Sequence, residues 1–108
     1  MTSELVSKDI VGEPTPEQIF RRLKREDIEH AMRGLDGGVS HQFGPSSTYD
    51  VLHQGKRYPP KAVIALAVKH RSGTELTPAD FPGGEGTAAF DTLRQLGFEI
   101  VRHLKPDL

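Results

Sequence analysis

The chain has 108 residues, no cysteine and a formal net charge of −1. That allows one small domain and excludes a large multidomain enzyme, a disulfide framework and thiolate or cysteine–zinc chemistry. Hydrophobic residues make up 35% of it, below the usual globular share of about 45–50%, which is material for one modest core, and the clustering of apolar residues argues against disorder throughout.

Residues 1–14 are polar and end in Gly-Glu-Pro. They read as a loose N-terminal arm with a short apolar contact from Leu5 or Val11. Neither a signal peptide nor the roughly 20-residue apolar run of a membrane helix is visible, so the expectation is a soluble, cytoplasmic protein with no membrane partner. Thr15-Pro16-Glu17-Gln18 is a helix start: Thr15 caps, Pro16 suits the first helical position and Gln18 sits three after the cap. Ile19, Phe20, Leu23, Ile28 and Met32 form its apolar face, with a break expected near Arg25-Glu26-Asp27 and Asp27 capping a second piece. Gly34 and Asp36-Gly37-Gly38 end it.

Residues 35–48 read as a Gly- and Ser-rich loop. Tyr49–His53 predicts a strand, Gln54-Gly55-Lys56 a tight turn and Arg57-Tyr58 the return strand of a β-hairpin. Pro59 and Pro60 stop pairing, because neither donates a ladder hydrogen bond. Residues 60–72 predict the core helix, apolar on all sides and closed by Ser72-Gly73. Thr77–Asp80 predicts one helical turn, Phe81 an anchor, 82–86 a loop, and 87–96 a short amphipathic helix with Phe90, Leu93 and Leu96 inward and Gly97 as its cap. Residues 98–102 predict a last strand that pairs with the hairpin. The expected fold is a small single-domain α+β unit over 15–104: N-terminal helices, hairpin, core helix, short helix and a final strand completing a three-stranded antiparallel sheet, with a tail at 105–108.

Charge is unevenly spread. Residues 37–72 hold one acid, Asp50, and five bases, Lys56, Arg57, Lys61, Lys69 and Arg71, whereas both flanking thirds are net acidic. A local basic field attracts phosphates even in a near-neutral protein; the competing expectation is that the acidic flanks fold over it and neutralise it.

Three stretches, STYDVLHQGKRYPPKAVIALA from Ser47, LTPADFPGGE from Leu76 and LRQLGFEIV ending at Val101, resemble the N-terminal head domain of McrA-type, modification-dependent (type IV) restriction endonucleases. In those proteins the head precedes modules that read methylated or phosphorothioated DNA and a C-terminal HNH nuclease. The Tyr-Pro-Pro-Lys-Ala and Phe-x-Gly-Gly blocks lie in the family's order and spacing. The resemblance implies association with double-stranded DNA, methylated or phosphorothioated, and with further domains of a restriction endonuclease. The chain departs from the full enzyme in having no HNH segment, as an excised domain or a stand-alone relative would.

With that resemblance, Lys56, Arg57 and Lys61 read as phosphate contacts of a hairpin wing, against the alternative of a solvated turn. Tyr58 stacks on a base or packs across the hairpin, and Tyr49 reads as a packing residue. Lys69, His70 and Arg71 complement a helix C-terminus, and Lys69 and Arg71 also suit a basic row with Lys61. Gly83, Gly84 and Gly86 offer a backbone anion contact or a tight turn seating Phe81. The polar loop with Gln42 and Ser47 reads base edges or merely connects. The helices 60–72 and 87–96, joined by a turn beside the hairpin, resemble a divergent winged helix-turn-helix.

No His spacing suits a metal and no nucleophile or paired carboxylates suit hydrolysis, so neither enzyme activity nor a cofactor is expected. No aromatic cage or base-flipping pocket is legible. The expected function is a non-catalytic DNA-binding module of a type IV restriction system that reads modified DNA; the alternative is a protein-interaction domain that orients or dimerises a nuclease.

Overall fold

A computed structural model describes residues 14–44 and 48–102. The expected arm up to residue 13, with Leu5 and Val11, and the tail from His103 lie outside the described residues. Helix α1 is Pro16–Phe20, α2 Arg25–Asp36, strand β1 Tyr49–His53, β2 Lys56–Tyr58, α3 Pro60–Ser72, a 3-10 turn Pro78–Asp80, α4 Ala88–Gln95 and β3 Glu99–Arg102.

Local chemistry accounts for each boundary. Thr15 Oγ1 accepts from the Gln18 N–H at 3.2 Å and Gln18 Oε1 accepts from the Thr15 N–H at 2.9 Å, a reciprocal cap on α1. The break after α1 differs from expectation: α2 already begins at Arg25, and Asp27 caps from inside the helix, its carboxylate accepting the Lys24 N–H at 2.8 Å. Gln54 and Gly55 both have positive φ (53° and 79°), the backbone a two-residue hairpin turn needs to match strand twist. Gly73, in the left-handed region at φ 75°, closes α3. Thr87 caps α4 from outside, so that helix is shorter by a residue at each end than its pattern suggested.

The sheet runs β2-β1-β3, antiparallel throughout, with β1 central. Val51 faces Tyr58 on one neighbour and Ile100 on the other. Helix α3 is the hub: Ala62, Val63, Ile64, Ala65, Ala67 and Val68 are all buried, as an all-round apolar helix requires. Helix α2 packs along α3, and α1 and α4 close its remaining sides. The expected three-stranded α+β architecture is therefore the observed one. The segment 73–87, which includes the 3-10 turn, lies between α3 and α4, much longer than the three or four residues of a helix-turn-helix turn.

Candidate nucleic-acid interface

Among the described residues, the side chains and glycines singled out in the sequence do not gather at one place. At the hairpin, Lys56 Nζ lies 3.4 Å from Asp36 and Arg57 Nη1 3.5 Å from Asp50. Lys69 Nζ lies 3.9 Å from Glu75. Arg71 donates from Nε to Asp27 at 2.9 Å and approaches Glu26 at 3.6 Å with Nη2. Four of the five predicted cations thus have a carboxylate beside them, contributed largely by the acidic segments on either side. Arg71 is the most committed, because Asp27 is almost fully buried and also caps α2.

Tyr58 needs a correction. Its ring is 6% exposed and packs in the core, and its hydroxyl donates to both Asp36 oxygens at 3.0 and 3.1 Å. Burial and the Asp36 carboxylate hold the phenol above its usual pKa. A ring with no free face cannot stack on a base, so Tyr58 is a packing residue that anchors the end of α2 to the hairpin. Pro59 and Pro60 do not push it outward: the chain reaches Tyr58 on the inward side of the pleat. Gln42 is exposed beside Lys69 and Glu75 in a shallow depression. Ser47 lies outside the described residues.

Lys61 behaves differently. It has no carboxylate partner among the described residues: Nζ donates to the Pro78 carbonyl at 2.7 Å and sits 5.0 Å from the Phe81 ring centroid. An ammonium has three donors, so that bond leaves it able to bind an anion. Its stem runs against Gly83, where an added Cβ would come within 2.9 Å of Cγ and Cδ. Gly84, at φ 110°, turns the chain so that its carbonyl accepts from the Thr87 hydroxyl at 2.7 Å. Lys61, Gly83 and Gly84 line one cleft of ≈ 350 Å³ together with Phe43, Tyr49, Pro59, Pro60, Pro78 and Phe90. Tyr49, the expected packing residue, meets Phe90 edge-on at 5.3 Å and its cross-strand neighbour Arg102 at 5.6 Å, yet remains half-exposed at the cleft.

The Pro-Pro-Lys and Phe-x-Gly-Gly blocks, twenty residues apart in the chain, therefore meet at this cleft. Sequence reasoning named Lys61, Gly83, Gly84 and Tyr49 but not the cavity between them. It also passed over Phe43, and over Arg21, Arg22 and Lys24, which are exposed between α1 and α2 and form no ion pair among the described residues. The run Arg21-Arg22-Leu23-Lys24-Arg25 was a signal for the latter; the net acidity of that third of the chain masked it. No group of three or more potential metal ligands occurs among the described residues, and no helix among them is long and apolar enough to cross a membrane.

Residues 21–102 match the family model described as ScoMcrA-like, N-terminal head domain. No curated protein and no solved structure matches the chain.

Proposed function

The chain belongs to the ScoMcrA-like N-terminal head-domain family, and from that premise we propose that it is a non-catalytic, DNA-engaging module of a restriction system. The observation that carries this reading is the cleft where the two motif blocks meet: Lys61, the one predicted cation without a carboxylate neighbour among the described residues, stands beside the backbone of Gly83 and Gly84. Phosphate contacts supply most of the affinity and little sequence preference. The exposed Arg21, Arg22 and Lys24 add to the field, whereas Lys56, Arg57, Lys69 and Arg71 contribute less because carboxylates offset them.

Fluorescence-anisotropy titration with short duplexes, unmodified, methylated and phosphorothioated, at low and physiological salt tests the reading. Binding that falls steeply with salt is the expected result. Lys61→Met, which keeps the stem against Gly83, weakens it about tenfold and lowers the salt slope by about one. Preference for a modified duplex makes the domain a reader. No binding to any duplex at low salt rules the reading out.

The pairing of Lys56, Arg57, Lys69 and Arg71 with carboxylates favours a second reading, a module that orients or dimerises a nuclease. It calls for negligible DNA affinity and a sedimenting mass that rises with concentration.

A further inference from the structure

Contact with a regular duplex backbone needs surface charge, not a concave aromatic cleft. The cleft at the start of α3 has both. At ≈ 350 Å³ it lies near the lower end of the size range of small-ligand sites, about 300–1,000 Å³. Phe43 and Tyr49 are half-exposed there, Phe90 lies behind Tyr49, and Pro59 and Pro78 add flat apolar surface. Lys61 supplies positive charge with no carboxylate beside it among the described residues, and Arg102 lies against Tyr49. A helical stack of paired bases cannot enter such a space. One unstacked nucleotide matches it in both respects, a flat π-surface for the aromatic rings and a phosphate for the ammonium.

We infer that the cleft formed by Phe43, Tyr49, Lys61, Gly83 and Phe90 receives a single unstacked nucleotide, its base against the aromatic rings and its phosphate toward Lys61. The inference rests on the DNA-engaging reading above and adds to it the form of DNA that is bound. Extracting a paired base from a duplex costs free energy, and least where pairing is already broken. The domain therefore favours a mismatched site, or a single strand, over the fully paired duplex.

The test uses the 108-residue chain and one duplex sequence in two forms, fully paired or with a single thymine–thymine mismatch, with 5-iodouracil at that position for photocrosslinking. The mismatched duplex is expected to bind at least tenfold more tightly and to crosslink to Phe43 or Tyr49. Tyr49→Leu and Phe43→Leu keep apolar bulk but remove the flat ring; each brings affinity for the mismatched duplex down to that for the paired one, with unchanged melting as the check on folding. Equal affinity for both duplexes, or crosslinks only outside the cleft, overturns the nucleotide inference and leaves the DNA reading standing. Absence of binding to either duplex at low salt overturns both, and a mass that rises with concentration then assigns the face to assembly.

Discussion

Lys61 and Gly83 are fitted to one another: a Cβ at position 83 would lie 2.9 Å from both Cγ and Cδ of the lysine, closer than side-chain carbons come in folded proteins. The contact is backbone against the middle of a stem, so a side chain at position 83 requires the lysine stem to shift. The glycine thereby sets the position of the predicted cation that has no carboxylate beside it among the described residues.

Gly83→Ala is accordingly expected to act on Lys61. It displaces the stem, breaks the 2.7 Å bond to the Pro78 carbonyl and lowers stability by about 1 kcal/mol, the low end for an overpacked site because the position is exposed. Combined with Lys61→Ala, which removes the obstructing atoms, the same alanine costs little. Urea denaturation of the two singles and the double measures that coupling.

Asp27 gives a second prediction. Its carboxylate is buried and bridges the Lys24 N–H and Arg71 Nε at 2.8 and 2.9 Å, tying the start of α2 to the end of α3. Asp27→Ala removes a cap and leaves Arg71 without its partner, at a cost of about 2–3 kcal/mol; Asp27→Asn, which keeps shape and one acceptor, costs less. Arg71→Met destabilises comparably, since it leaves the buried carboxylate short of a donor. A role of Arg71 mainly in DNA contact would instead show as lost affinity with an unchanged melting temperature.

The fold was legible where local chemistry decides it. The Thr15–Gln18 cap, the Gln54-Gly55 turn and the all-round apolar run in α3 are each fixed by residues a few positions apart, and the structure has them where the sequence put them. The site was only half legible. Lys61, Gly83, Gly84 and Tyr49 stood out as residue types, but the cleft needs Phe43 from the loop before β1, Tyr49 from β1 and Phe90 from α4 to line one space, an arrangement set by tertiary packing and invisible to spacing. Tyr58 was left between base stacking and hairpin packing for the same reason: which side of the pleat it occupies depends on register with Val51. The ion pairs of Lys56 and Arg71 join segments 20 and 44 residues apart, so no local pattern announced them.

Arg25 was not singled out in the sequence, yet its position makes it a clasp between α2 and the far end of the chain. Nη1 donates to the Leu96 carbonyl at 2.9 Å, one of the unpaired carbonyls closing α4, and the guanidinium lies 4.3 Å from the Phe98 ring centroid. Arg25→Ala is expected to cost about 1 kcal/mol. Gly97→Ala costs about 1–2 kcal/mol through both strain at φ 92° and a 2.8 Å approach to Arg25 Nη1. If Gly97 acts through backbone strain alone, the penalty in an Arg25→Ala background is unchanged; if the clash contributes, it shrinks. Thermal denaturation of the three variants distinguishes the cases.

The Tyr58–Asp36 pair predicts how the domain responds to alkali. Burial, then the hydrogen bonds to Asp36, then its negative charge all favour the neutral phenol, so the folded-state pKa lies above the unfolded value near 10. A group whose folded pKa is raised contributes its stability in full below the unfolded pKa and loses it as pH climbs through the folded one. Urea midpoints should therefore hold from pH 7 to about 9 and fall once pH passes about 10, as the unfolded state releases the proton more readily. Tyr58→Phe removes the hydroxyl and lowers stability at pH 7 by about 1 kcal/mol, but flattens the alkaline fall. Lys56, 3.4 Å from the same carboxylate, is present in both proteins, so the difference between the two pH curves isolates the phenol. Parallel curves would mean that the hydroxyl ionises equally readily in the folded and unfolded chain, and that Asp36 holds Tyr58 in place without affecting its proton.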